Sequence, residues 1–283
     1  MNLDVSHNFE NAALLMQLPA LFISHGSPMH AINAGPAGDV WTALGQSLPA
    51  PPKAVLIATA HWETNLPMLS GSAAPEMIYD FGGFPEALYQ IKYPAPGAPN
   101  VVQRGLALLK AAGITAAIDG FRGMDHGAWV PLRKLFPEAN VPVVQLSVQP
   151  ALGPRHHYEL GRALRPLRDA GVLIVGSGHL THNLRDWMSG ACASHAAGDA
   201  PVAIAPYALE FQNWVYEHLM AGDNAALFDY RQQAPHAVRA HPSEEHFLPF
   251  FIALGAAGVQ PNVERVFAGF EGNALAMDAY RFT

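Results

Sequence analysis

The sequence contains very little cysteine and few charged side chains. Cys192 is the single cysteine among 283 residues, so an intramolecular disulfide and a zinc site built from several thiolates are excluded. A chain without disulfides is typical of the reducing cytoplasm, which is the compartment we expect. Lys and Arg number 16 against 23 Asp and Glu. No run of basic residues occurs, so we expect no nucleic-acid partner.

Long hydrophobic runs are also missing. No apolar stretch reaches the roughly 18 residues that a membrane-spanning helix needs, so we expect no membrane partner. The first residues, MNLDVSHNFENAALLMQ, lack the basic stretch that opens a secretory signal. Residues 1–17 are predicted to form a poorly ordered leader. Residues 18–283 are long enough to bury the core of one catalytic domain.

Short runs rich in Val, Ile and Leu, bounded by Pro or Gly, predict buried strands. Their continuous apolarity predicts a sheet that is covered on both faces. Helical segments that end at Gly lie between them, which predicts an α/β fold with a central, mostly parallel or mixed sheet and helices on both faces. The predicted strands are Leu18–Ser24, Ala54–Ala60, Val141–Val148 and Val172–Gly176. The predicted helices are Val101–Ala112, Arg155–Ala170 with an interruption at Pro166, Pro206–Met220 and Glu245–Leu254.

Two segments between these elements are predicted to be loops. Residues 73–99 are rich in Pro, Gly and aromatic side chains, and a long ordered loop of this kind is usually a lid or wall of a site. The alternative is an excursion that packs on the outside of the domain. Ser189–Ala200 is rich in Ala, Gly and Ser and is predicted to be a mobile loop.

Histidine, in contrast, is abundant, with 14 residues. Some of these histidines stand where strand-like runs stop or turns begin, and α/β proteins build their sites outside such strand ends. The histidines in these positions are His25, His61, His126, His182 and His246. Histidine is the commonest metal ligand and also moves protons near neutral pH. With a single cysteine in the chain, a metal here would be held by nitrogen and oxygen.

The other histidines have weaker contexts. Each has an ordinary structural explanation, and spacing alone does not decide among them, because the sequence contains no H-E-x-x-H motif. The histidines predicted to lie at the surface are His7, His30, His195, His218 and His236, and those predicted to cap a helix or face solvent are His156 and His157. His179 and His241 stand close to favoured histidines, and their roles as ligands, supporting partners or bystanders stay open.

Seven sequence blocks, taken together and in order, carry a family resemblance. The blocks are PALFISHGSPMH, ATAHWET, IYDFGGFPEALYQIKYPAPGAP, DHGAWVPL, VPVVQLSV, GSGHLTHNLR and EEHFLPFFIALGA. In this order they closely resemble the class III extradiol ring-cleavage dioxygenases, and the nearest branch is the DOPA 4,5-dioxygenase group. Seven ordered blocks are far more specific than any one of them.

The resemblance implies a role for each of the favoured histidines. His25, His61 and His246 match the metal ligands of the family. His182 matches a histidine close to the metal, either an acid/base or a fourth ligand when zinc is bound, and His126 matches a histidine near substrate and oxygen. Glu245 is the rival of His246, because more distant members of the class use a glutamate as the third ligand.

The activity implied by the resemblance is Fe(II)-dependent opening of a catechol, DOPA-like or otherwise substituted, with O₂ to a muconic semialdehyde. Zn²⁺ binds nitrogen-rich sites more tightly than Fe²⁺, so a purified sample is expected to carry zinc. The alternatives are a zinc hydrolase on the same scaffold and a non-catalytic metal-binding protein. Monomer and homodimer are both open.

Two groups of residues are candidates for binding the rest of the substrate. Arg122, Arg185 and Lys92 are candidates for pairing with a substrate carboxylate. Three side chains of the 73–99 loop could form an aromatic wall over a flat ring. They are Tyr79, Phe81 and Phe84.

Overall fold

The computed structural model describes residues 17–196 and 203–283, with residues 191–196 described as backbone only. The leader predicted for residues 1–17 lies outside the described residues, except for Gln17. The predicted mobile loop Ser189–Ala200 is wrong up to residue 196, because a helix extends to Ala196; the rest of that segment lies outside the described residues.

Ten strands and twelve α-helices are described in this part of the chain. The strands are β1 (Ala20–Ser24), β2 (Ala54–Glu63), β3 (Met68–Ser70), β4 (Ala117–Asp119), β5 (Val143–Val148), β6 (Val172–Gly178), β7 (Val263–Phe267), β8 (Phe270–Glu271), β9 (Leu275–Ala276) and β10 (Ala279–Phe282). The helices are α1 (Gly35–Gln46), α2 (Glu86–Tyr89), α3 (Pro99–Ala111), α4 (His126–Leu135), α5 (Gly153–Leu164), α6 (Pro166–Asp169), α7 (Leu184–Ala196), α8 (Pro206–Met220), α9 (Asn224–Phe228), α10 (Tyr230–Gln233), α11 (Ala237–Ala240) and α12 (Leu248–Ala257).

Eight of the strands form one mixed sheet. Its order is β4-β3-β5-β2-β6-β1-β10-β7, and the four central strands β5, β2, β6 and β1 are mutually parallel. Antiparallel pairing occurs towards both edges, at β3 with β5 and at β1 with β10. The predicted α/β class with a mostly parallel or mixed sheet is therefore confirmed, and the sheet is mixed.

Helices cover both faces of this sheet, as the continuous apolarity of the strands predicts. Along β1, Phe22 packs into one core together with α5, α8 and α12. The next residue, Ile23, packs into a second core together with α1 and α4. Successive side chains of a strand point to opposite faces, so a fully apolar strand contributes to both cores.

The loop at residues 73–99 is partly structured. It contains the single-turn helix α2 and two isolated backbone bridges, Met77 with Met124 and Gly97 with Val143. Tyr93 is buried, and its hydroxyl lies within hydrogen-bond distance of the carbonyls of Leu132 at 3.2 Å and Phe136 at 3.0 Å. These contacts fix the loop against α4, so its remaining aromatic side chains have defined positions.

Candidate metal centre and its pocket

The parallel strands β1, β2 and β6 bring three histidines to one edge of the sheet. His25 directly follows β1, His61 lies near the end of β2 and His179 directly follows β6. Since these strands are neighbours and parallel, their carboxyl ends meet at the same edge, where open α/β sheets bind ligands. β2 runs three residues further than predicted, with a register shift beyond Ala58, so His61 lies within the strand.

His246 reaches this edge from another part of the chain. The helix predicted to begin at Glu245 begins instead at Leu248, and His246 lies in the turn before it. The backbone N–H of His179 donates to the carbonyl of His246 at 2.8 Å. Gly178 allows this approach, because a Cβ at that position would overlap the same carbonyl oxygen.

One ring nitrogen from each of His25, His61 and His246 lies within 4.8 Å of the other two. We call these three residues the histidine triad. The Nε2 atoms of His25 and His61 are 3.0 Å apart. Two further sets of potential ligands overlap with the triad, namely His61 with Asp80 and His126, and His182 with Glu245 and His246.

The second ring nitrogen of each triad histidine faces an oxygen. Nδ1 of His25 is 3.0 Å from the Ser177 hydroxyl, and Nδ1 of His246 is 2.8 Å from the Glu245 carboxylate. Nδ1 of His61 is 3.4 Å from the Asp80 carboxylate. Contacts of this kind orient metal-ligating imidazoles in proteins.

The Nε2 atom of His246 indicates that this arrangement fits a cation. Nε2 of His246 is buried and has no hydrogen-bond partner among the described residues. A buried polar atom left in this way costs free energy, and a metal ion between the three imidazoles would satisfy it. The donor set, three imidazole nitrogens beside carboxylates, suits iron or zinc.

Electrostatics favour the neutral form of the triad. Burial, and after it the nearby histidines, lowers the pKa of His25 and of His246 well below its ordinary value. Burial and then His126 lower the pKa of His61 to about 3. Metal ions bind neutral imidazole, so the triad is in its binding form at neutral pH.

His182 and His126 each lie beside a different member of the triad. The ring of His182 stacks on that of His246, with centroids 3.4 Å apart and planes inclined by 13°, and it is partly exposed to the pocket. Burial, and then His126, lowers the pKa of His182 to about 4. His126 begins α4, where Asp125 is the N-cap, and its ring centroid is 4.0 Å from that of His61.

Asp80 is a site residue that the sequence analysis missed. Its two carboxylate oxygens lie 2.9 Å from Nδ1 of His126 and 3.4 Å from Nδ1 of His61. Burial opposes its ionisation, but the contact with His126 and the nearby His61 outweigh burial and lower the pKa of Asp80 to about 2. The available signal was its position in the aromatic 73–99 loop, between Tyr79 and Phe81.

His179 and His241 do not contribute to any of the three ligand sets. Nε2 of His179 accepts a hydrogen bond from the Gly26 backbone N–H at 3.0 Å. Nε2 of His241 lies 2.8 Å from the carbonyl of Leu180, and its ring stacks on Phe247 with centroids 5.1 Å apart. Both residues support the backbone that carries the triad.

Two other histidine predictions need correction. His30, predicted at the surface, has a side chain only 12% exposed and lies 3.6 Å from the Glu271 carboxylate. His157, predicted to be a cap or solvated, is fully buried. Its ring accepts from the backbone N–H of Gln149 at 3.0 Å and lies 2.7 Å from the Gly153 carbonyl. Both histidines make contacts with residues or backbone groups that the local sequence pattern does not predict.

The triad lies at a pocket of about 360 Å³, which is within the size range of small-molecule sites. Phe81 and Phe84 line it, and Phe81 meets the ring of His126 edge-on at 5.6 Å. Tyr79 does not line the pocket and packs behind Phe81, with centroids 6.2 Å apart. Of the three residues predicted to form an aromatic wall, Phe81 and Phe84 therefore line the pocket and Tyr79 does not.

The three basic residues considered for a substrate carboxylate do not line the pocket. Arg122 donates to the Asp125 carboxylate and to the backbone carbonyl of His61. Lys92 donates to the Tyr79 hydroxyl and lines a different crevice. Arg185 is exposed, one residue beyond the pocket-lining Leu184 on α7.

In the described part of the chain, no helix is both long and apolar enough to cross a membrane.

The chain is similar to known proteins over most of its length. Residues 19–278 match a family model described as the catalytic LigB subunit of aromatic ring-opening dioxygenase. A Beta vulgaris protein named 4,5-DOPA dioxygenase extradiol is 41% identical over 265 residues, covering 93% of this chain and 95% of the relative. An Escherichia coli K12 protein of the same name is 36% identical over 266 residues, covering 92% and 93% respectively.

A solved structure shows the same fold. It is an uncharacterized protein from Escherichia coli K12, which superposes with a TM-score of 0.78 at 31% identity and covers 94% of this chain and 100% of its own. The family match spans strands β1 to β9, the histidine triad and the pocket. The chain therefore belongs to the LigB family of aromatic ring-opening dioxygenases and is a class III extradiol enzyme.

Proposed function

We propose that this protein is a non-haem Fe(II) dioxygenase that cleaves a catechol beside its two hydroxyls and yields a muconic semialdehyde. The observation that carries the proposal is the convergence of three neutral imidazoles on an open pocket. Three ligands on one side of a metal leave the other positions free, as in the facial triads of non-haem iron oxygenases. The names of the relatives support a dihydroxylated aromatic substrate.

We assign His25, His61 and His246 as the metal ligands. When bound, Fe(II) would bring the catechol and O₂ together and would lower the pKa of the bound phenol. Glu245 contacts Nδ1 of His246 and therefore orients this ligand instead of replacing it. Zn²⁺ binds the same donors more tightly by the usual affinity order, so protein purified without added iron is expected to carry zinc.

The remaining site residues position the substrate and move protons. His182 is partly exposed in the pocket beside His246, where it can take the second catechol proton and return it to the product. His126 also lines the pocket, and the Asp80 carboxylate lies 2.9 Å from its Nδ1, so the protonated ring can donate to a reacting oxygen. Phe81 and Phe84 form a wall for the flat ring and exclude water. Both oxygen atoms of O₂ enter the product as one ring carbon–carbon bond breaks.

Loading the protein with Fe(II) without oxygen, and then adding a catechol and O₂, tests the proposal. We expect one O₂ consumed per ring opened and a yellow product, because the semialdehyde is conjugated. Protein loaded with zinc is the matched control and should consume no O₂. Full activity with zinc in the absence of O₂ would instead support the hydrolase alternative, and tight metal binding without turnover by either form would support the non-catalytic one.

A Glu245→Gln substitution should weaken metal binding without abolishing it. The amide keeps the size of the side chain but removes the charge that faces Nδ1 of His246, and loss of such a supporting partner typically costs about 10- to 100-fold in affinity. Calorimetric titration with zinc measures the change.

Glu244→Gln is the matched control for this substitution. Glu244 accepts a hydrogen bond from the Tyr230 hydroxyl and does not face the triad. Complete loss of metal from Glu245→Gln would indicate that Glu245 is itself a ligand.

A further inference from the structure

Apart from its histidines, the lining of the pocket is mostly apolar, and we call its apolar side chains the apolar wall. Four separate segments of the chain contribute side chains to this wall, next to the triad. The side chains are Pro28, Phe81, Phe84, Leu184, Trp187 and Leu275. Apart from the histidines, Asp80 is the single ionisable residue lining the pocket within the described part of the chain. A wall of this kind stabilises a ligand group by removing apolar surface from water.

No described Lys or Arg lines this pocket. Residues 1–16 and 191–202, whose side chains the structure does not describe, contain no Lys or Arg in the sequence. Arg122 donates a hydrogen bond to the Asp125 carboxylate, and Lys92 donates one to the Tyr79 hydroxyl. Arg185 is the basic residue nearest in sequence to the lining, but successive residues of a helix are turned by about 100°, so it does not share the face of Leu184.

We propose that this pocket selects catechols whose ring substituent is uncharged and apolar, an alkyl or aryl group, and disfavours substituents that carry a carboxylate. The selection rests on the ring-cleaving function proposed above. A carboxylate placed against the apolar wall loses hydration and gains no cationic partner, which is costly. The one carboxyl group in the lining, Asp80, cannot pair with it. DOPA carries an ammonium as well as a carboxylate. Asp80 is the one residue of the described lining that could pair with the ammonium, and the carboxylate still has no cationic partner, so DOPA is expected to be a poorer substrate than an uncharged catechol of similar length.

Three catechols of matched length test the selection. They are 4-propylcatechol, 3-(3,4-dihydroxyphenyl)propionate and DOPA. With the iron-loaded protein we expect kcat/KM for 4-propylcatechol to exceed that of either carboxylate by at least about tenfold. Dissociation constants from calorimetry with the zinc-loaded protein, without oxygen, should show the same order. Equal or better binding and turnover of the carboxylates would overturn the proposal.

Leu184 offers a gain-of-function test, because it is 48% exposed at the edge of the pocket. Leu184→Arg places a guanidinium there and should raise kcat/KM for the propionate, relative to 4-propylcatechol, by about tenfold. Leu184→Gln has a similar size without charge and should change this ratio much less than Leu184→Arg does. Arg185→Ala tests whether the Arg185 guanidinium pairs with the substrate carboxylate. A selective loss of propionate binding in this variant would show that Arg185 reaches the substrate and would contradict the proposal.

The outcomes separate this inference from the proposed function. If the iron form cleaves none of the catechols but the zinc form binds 4-propylcatechol most tightly, ring cleavage of catechols fails and the selectivity of the pocket stands. If the carboxylates are cleaved fastest, ring cleavage stands and the selectivity fails.

Discussion

Replacing His246 with alanine is expected to abolish metal binding and ring cleavage together. The substitution removes the buried Nε2 that has no partner among the described residues and leaves two imidazoles at the metal position. Loss of a mere supporting contact already costs about 10- to 100-fold in metal affinity, so loss of a ligand should cost more than about a hundredfold. Activity should then fall below detection, because both reactants are proposed to bind on the metal.

Metal content after dialysis, zinc titration and O₂ uptake measure these effects. His218→Ala is the matched control. His218 is a partly exposed histidine whose ring contacts Asp223 and Trp214, and neither of these residues belongs to the triad or lines its pocket. It should keep metal and activity. If His246→Ala retains one tightly bound metal ion while Glu245→Ala loses it, the assignment of the third ligand is wrong and Glu245 takes that place.

The sequence predicts the strands that carry the site better than it predicts the turn that completes it. β1, β2 and β6 follow from buried apolar runs that end near a turn, and each is found within three residues of its predicted ends. The edge to which they bring His25 and His61 follows from parallel pairing alone. The local sequence is sufficient to predict these strands, because a strand buried on both faces is a nearly continuous run of Val, Ile and Leu.

His246 depends on a contact that local pattern does not contain. Its turn is held by the backbone N–H of His179, the residue after β6 and 67 positions away in the chain. The helix α12 begins only after this turn, at Leu248. The proline at the first turn of α12 was a signal for the later start. Asp80 is similar: its contacts with His61 and His126 arise when the 73–99 loop packs on α4, which no periodicity shows.

A His182→Ala variant is expected to keep its metal and lose most of its rate. His182 stacks on His246 without joining the histidine triad, so the three assigned ligands remain. Removal of a general acid/base typically costs about 10²- to 10⁴-fold in rate. The measurements are zinc affinity by calorimetry and single-turnover ring opening by absorbance, with an unchanged affinity and a slowed turnover as the expected pair.

Two further readouts separate proton transfer from a structural role of His182. Added imidazole should restore part of the rate in His182→Ala, because the cavity left beside His246 opens into the pocket. The same addition should not help His182→Gln, in which the side chain fills that space without a group that can exchange a proton near neutral pH. A large fall in zinc affinity in both variants would instead make His182 a fourth ligand, because loss of a ligand affects binding before any step of the reaction.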